Sequence, residues 1–242
     1  MMQSSVFALG ELSAVLINVL GAALIVLELS GRTIAFSHPY IRPNRFHWSA
    51  VSVATAGVGA AVFVVGLASL GNIIVIIPGF VSINPTRGLE AVFGLLFGLP
   101  GVAAGMIGNP IGDVLTGKLS LGSFAGCITT GLTSYVFYRV FRTNPGLHNF
   151  TEIRVWGRFV VTIVLVAIFL KGLAIAGWLA ALGLIPPHVA WLVAFPSITI
   201  AEGLANAVVG AVLTKILYPF VDRIGLTPET DPVASIAARP GA

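Results

Sequence analysis

From Trp48 to Pro78 the chain carries no charged side chain. A stretch of that length and composition reads as a helix in contact with lipid, since a membrane-crossing helix needs about 20 apolar residues. Four more runs are similarly apolar but hold at most two charged side chains each: residues 6–30, 119–138, 159–183 and 189–217. Across all 242 residues only 9% are charged and 57% are hydrophobic, and the mean hydropathy is +0.99. Soluble domains carry about 25% charged residues, so the sequence defines an all-α polytopic membrane protein. Glu11 and the missing basic n-region argue against reading residues 6–30 as a cleaved signal peptide. Cys127 is the single cysteine, so no intrachain disulfide is expected.

The hardest segment is 88–117. Pro100 beside Gly101 either kinks one long helix or separates two short ones. The basic linkers decide. Residues 31–47 hold Arg32, Arg42 and Arg45, and residues 139–158 hold Arg139, Arg142, Arg154 and Arg158. Cytoplasmic loops collect arginine and lysine, so both linkers are expected on one side, with Lys215 and Arg223. Only two crossings within 88–117 achieve this. The chain therefore doubles back near Pro100, giving seven helices with the N-terminus outside and the C-terminus in the cytoplasm. The first member of the pair is short, since 88–99 covers only about 18 Å. It must begin nearer Asn84, and its polar ends need cover from neighbouring protein. "GLIPPH", 183–188, reads as the turn of the last hairpin. Three units follow: 1–47, a helix with a basic linker; 48–223, six helices; and 224–242, a polar cytoplasmic tail expected to be disordered.

Polar residues inside such a chain are candidates for function. Lys171 lies well inside its span, where an unpaired charge costs about 2.5 kcal/mol or more. Glu202 lies on the next helix. Pro186 stands almost midway between them in sequence, so antiparallel helices bring both to one depth as an ion pair. The pair serves either structure or a polar cavity, and Asn206 extends the strip by one turn. Asn109 and Asp113, at i and i+4, share a helix face, either solvated at the membrane surface or touching a ligand. Gly101, Gly105, Gly108 and Gly112 allow close helix approach. Arg87 and Glu90, at helical spacing, read as a local ion pair or a ligand clamp, with Pro85 in a first turn capped by Asn84. Ala50/Ala54 and Ala56/Ala60, each four apart, read as a small-residue docking ridge. Trp156, Trp178 and Trp191 suit the interfacial belts. The four histidines, His38, His47, His148 and His188, do not cluster, so no metal is expected. The basic balance of +4 reports topology rather than nucleic-acid binding. No phosphate-binding loop, paired-cysteine motif or zinc helix occurs, so no cofactor and no enzymatic activity are expected.

The segment 79–142, "GFVSINPTRGLEAVFGLLFGLPGVAAGMIGNPIGDVLTG" followed by "GSFAGCITTGLTSYVFYRVF", resembles the S components of energy-coupling factor (ECF) transporters, which capture vitamins and related micronutrients. The shared features are an irregular outer loop, a short helix ending in Phe97-Gly98-Leu99-Pro100-Gly101, and a Gly-rich helix ending in Gly112-Asp113. The resemblance covers 48–222 as six helices, with residues 6–30 added as a seventh. It implies a pocket near the outer face, lined by the 105–117 helix, lidded by the 73–87 loop and floored by Lys171 and Glu202. Arg87, Glu90, Asn109, Asp113, Lys171, Glu202 and Asn206 are then the substrate-binding candidates. Ala50, Ala54, Ala56 and Ala60 would dock on a transmembrane coupling subunit that works with two ATPases. The alternatives are an accessory subunit of a larger membrane complex that binds lipid or pigment, and a membrane sensor.

Overall fold

The computed structural model describes residues 2–35, 40–44, 46–70, 74–78, 81–141 and 152–227. Six helical segments carry the fold: α1 (Met2–Leu29), α2 (Ala50–Leu70), α3 (Leu89–Leu115), α4 (Gly122–Phe141), α5 (Ile153–Ala181) and α6 (Pro187–Arg223). Because α3 breaks into two arms, they form seven rods. In α1, α2, α5 and α6 the helix is long and apolar enough to cross a membrane. Two small antiparallel ribbons complete the description: β1 (Arg32–Ile34) with β2 (Ile41–Pro43), and β3 (Ile74–Ile77) with β4 (Val81–Ile83). The chain is an all-α polytopic membrane protein. Arg45, Arg142, His38, His148 and the expected disordered tail beyond Thr227 lie outside the described residues.

The reversal expected near Pro100 occurs two residues earlier. Gly98 adopts φ 58° and ψ −131°, a conformation closed to residues with a Cβ. Pro100 then falls in the first turn of the second arm, where its missing N–H leaves no bond unmade. Pairs placed symmetrically about Gly98 meet across the hairpin. Arg87 bonds Asn109, Phe93 packs in one cluster with Ala104, and Gly101 lies directly on the Phe93 backbone. The other glycines of the second arm do what small residues do. Gly105 abuts Thr130 of α4, Gly108 abuts Ala60 and Phe63 of α2, and Gly112 abuts Leu67.

The first arm, 89–97, is about 13 Å long and starts within the bundle. A 3₁₀ turn, Pro85–Gly88, precedes it, and Asn84 caps that turn by accepting from the Thr86 N–H at 2.9 Å. The exposed donors of the arm's own start are covered by protein, as a buried helix end requires. The Ala91 N–H donates to Asn206 Oδ1 at 3.2 Å. One expected boundary moves. The charge-free run 48–78 is not one helix: α2 stops at Leu70, and Ile74–Ile77 is a strand. Five β-branched residues in a row between Gly71-Asn72 and Pro78-Gly79 favour that outcome.

The two ends of the bundle differ in charge. At one end lie the β1–β2 ribbon, the Gly98 tip, the end of α4 and the start of α5. Arg139 of α4 donates to Thr33 of β1 at 3.1 Å, while Phe137, Phe141, Val155 and Phe159 pack with Leu95 and Ala211. The basic linker residues Arg32, Arg42, Arg139, Arg154 and Arg158 gather here. The opposite end holds the start of α1, the β3–β4 ribbon and the 182–188 turn. Phe7 stacks on Trp191 at 6.4 Å, and Trp178 donates to the Leu121 carbonyl at 3.0 Å.

Two sequence readings acquire a different geometry. The helix α1 packs into the bundle. Gly21 meets Leu132, Ala14 meets Gly177, and Asn18 Nδ2 donates to the Ala174 carbonyl at 3.1 Å. The alanine ridge of α2 is split: Ala56 and Ala60 are buried in the bundle while Ala50 and Ala54 are exposed. At about 100° per residue the six-residue offset turns the two pairs roughly 120° apart, so they do not form one surface.

A charge network beneath a polar cavity

The ion pair of Lys171 with Glu202 exists, but it is one edge of a ring. Lys171 Nζ lies 3.8 Å from Glu202 Oε2 and 2.7 Å from both carboxylate oxygens of Glu90. Arg87 closes the ring from the other side, with Nη1 3.5 Å from Glu90 and Nε 3.6 Å from Glu202. Three remote segments build it. The turn before α3 gives Arg87, α3 gives Glu90, and facing helices α5 and α6 give Lys171 and Glu202. Both facing helices are locally wound with the wider π pitch, at Val166–Leu173 around Lys171 and at Asn206–Gly210 just past Glu202. Such turns re-aim side chains and recur at functional sites. Lys171 and Glu90 are fully buried, and paired charges are the form in which burial of this kind is tolerated.

Thr130 of α4 joins the ring. Its hydroxyl donates to Glu90 Oε1 at 3.0 Å and receives Arg87 Nη1 and Lys171 Nζ, each at 3.3 Å. Ser134, one turn on, donates to the Glu90 carbonyl at 2.9 Å. Arg87 also donates to Asn109 Oδ1 at 2.6 Å. Asn109 Nδ2 in turn reaches Asp113 at 3.5 Å, as their i, i+4 spacing required.

Above the ring, toward the end that holds the β3–β4 ribbon, is a cavity of about 100 Å³. Arg87, Asn109, Asp113, Lys118, Ser123 and Glu202 line its polar side; Leu67, Ile175, Leu179 and Ile198 supply apolar wall. Ser82 and Asn84 close it from the ribbon. Lys118 sits in the loop between α3 and α4, where partial burial lowers its ammonium below the usual lysine range against the opposing pull of Asp113. Pockets for drug-sized ligands run to about 300–1,000 Å³, so this one, as it stands, takes only a small molecule or group.

Of the seven sequence candidates, Arg87, Asn109, Asp113 and Glu202 face the cavity, while Glu90 and Lys171 lie in the ring beneath it. Asn206 does neither: it ties the Glu202 carbonyl to the start of α3. Thr130, Ser123 and Lys118 were not anticipated. A buried threonine in an apolar helix carries no distinguishing signal, and Lys118 is in sequence only the charge directly before the run 119–138. Among the described residues no group of His, Cys, Asp and Glu is arranged to hold a metal ion. Comparison with protein-family models, curated proteins and solved structures gives no match.

Proposed function

We propose that the chain is a membrane-embedded binding subunit for a small organic micronutrient, working as S components do with a coupling subunit and ATPases. One observation carries the reading. A polar cavity opens at one end of an otherwise apolar bundle, and its floor is a charge ring assembled from sequence-distant segments. That is a costly arrangement to keep inside a membrane, and it lies where the ECF resemblance puts a substrate pocket. The arginine-rich end faces the cytoplasm on the positive-inside rule, which turns the cavity outward. Ala50 and Ala54, exposed on α2, supply the surface for the coupling subunit. A thermal-shift screen of the purified protein against a vitamin panel tests the reading: a ligand that raises the melting temperature is expected, and no shift across the panel overturns it. Orientation has its own test. A cysteine at Leu121, exposed at the cavity end, is expected to react with an impermeant thiol reagent on intact cells. One at Tyr40, exposed at the basic end, is expected to react only after permeabilisation.

The accessory-subunit reading draws on the same exposed face of α2. It predicts co-purification with a large membrane assembly that lacks ATPases, which mass spectrometry of a mild detergent extract distinguishes.

A further inference from the structure

The buried carboxylate of Glu202 is short of donors. It is 8% exposed, yet among the described residues no hydrogen bond to either of its oxygens forms; Arg87 and Lys171 stand off at 3.6 and 3.8 Å. Oε2 faces Lys171 and is sealed from solvent. The remaining accessible surface of the side chain belongs to the cavity wall. Oε1, the oxygen that is not sealed, is the one a molecule in the cavity can reach, and a carboxylate oxygen left without a hydrogen bond has room for a partner there. That partner must donate a hydrogen.

Charge fixes the partner's second property. Among the described residues, three cations, Arg87, Lys118 and Lys171, and three anions, Glu90, Asp113 and Glu202, stand around the cavity and its floor. The set is balanced. A ligand cation placed on Glu202 would sit beside Arg87 and Lys171, whereas an anion would meet Glu202 and Asp113. In a low-dielectric setting either imbalance is penalised. The apolar lining, with Leu67, Ile175, Leu179 and Ile198, accepts an apolar body.

We infer that the cavity takes an uncharged molecule with an amide-like N–H edge, which donates to Glu202 while its apolar part rests on the Leu67 and Ile198 wall. This rests on the reading of the cavity as a ligand site. The test uses near-isosteric probes that differ in charge: acetamide, acetate and acetamidinium, then benzamide, benzoate and benzamidinium. Each is titrated against the purified full chain in nanodiscs, with melting temperature as readout, since a ligand of the folded state stabilises it by mass action. The amides are expected to stabilise most, and Glu202→Gln is expected to weaken the better amide roughly tenfold or more, as loss of a bond to a charged acceptor does. If the acid or the amidinium stabilises more than the amide, the inference fails while the ligand site stands. If no probe of any charge stabilises the protein, the cavity holds water only and both fail. An amide that binds Glu202→Gln as tightly as the parent chain overturns the assignment of Glu202; if that variant does not fold, the ranking of the probes on the parent chain decides.

Discussion

Glu28 and Glu202 are both buried glutamates on membrane helices, and they are bonded in opposite ways. Glu28, 1% exposed near the basic end of α1, accepts from Tyr135 at 2.7 Å, Thr33 at 2.5 Å and Asn44 at 3.1 Å, with Arg139 at 3.5 Å. Its donors come from α4, from β1 and from the residue after β2, so the carboxylate ties the ribbon to the bundle. The Glu202 carboxylate has two cations at longer range, no hydrogen bond among the described residues, and a cavity beside it. A saturated cluster has nothing left to offer a ligand and acts as a fastener. An unsaturated one beside an opening has bonding capacity to give. On the function proposed above, the difference separates structural from ligand-binding polarity.

The largest expected effect tests the floor of the cavity. Lys171→Met leaves Glu90 and Glu202 buried with Arg87 alone between them. Removing one partner of a buried ion pair typically costs about 3–5 kcal/mol, so the variant should lose most of its thermal stability in detergent. A melting temperature near that of the parent chain would mean that the ring is not holding the fold. The reciprocal exchange of Lys171 and Glu202 should fail as well, because it sets a carboxylate against Glu90.

Next comes the saturated cluster. Glu28→Gln keeps the shape but removes the charge that Arg139 faces and replaces one acceptor by a donor pointed at other donors. Bonds to a charged group contribute about 1.5–3 kcal/mol each, and a loss in that range is expected. Tyr135→Phe removes a single donor and should cost less, about 1.5 kcal/mol. Both are read by unfolding in the same detergent, and neither should alter ligand binding. A ligand defect in Tyr135→Phe with the fold intact would end the distinction between the two clusters.

Much of this was legible in the sequence, and the part that was not has a physical cause. Depth-matching across the 183–188 turn brought Lys171 to Glu202, and helical spacing brought Arg87 to Glu90. Each pair depends on local geometry. Their merger depends on the hairpin at Gly98, which drops the start of α3 between α5 and α6; the arginine distribution required a reversal but not the register that sets Glu90 on Lys171. Thr130 contributes through position alone. The strand at Ile74–Ile77 was hidden because a short apolar run has no periodicity to separate it from a continuing helix. Ala50/Ala54 and Ala56/Ala60 were each correctly spaced, yet the six-residue offset between the pairs turns one to the bundle and leaves the other exposed.

The smallest effect on stability should come from Glu202→Gln, and it bears most directly on the contrast. Among the described residues no hydrogen bond to the Glu202 carboxylate is there to lose, and one oxygen of the amide can stay in place. The ring keeps Glu90 against Arg87 and Lys171, at the cost of one uncompensated positive charge softened by the cavity alongside. A change within about 1 kcal/mol, the range of long or partly solvated ion pairs, is therefore expected, less than for Glu28→Gln. Unfolding of both variants side by side checks the ranking. If Glu202→Gln is the more damaging of the two, its carboxylate is a fastener like Glu28, and bonding capacity left over in the folded chain is no guide to where this protein binds.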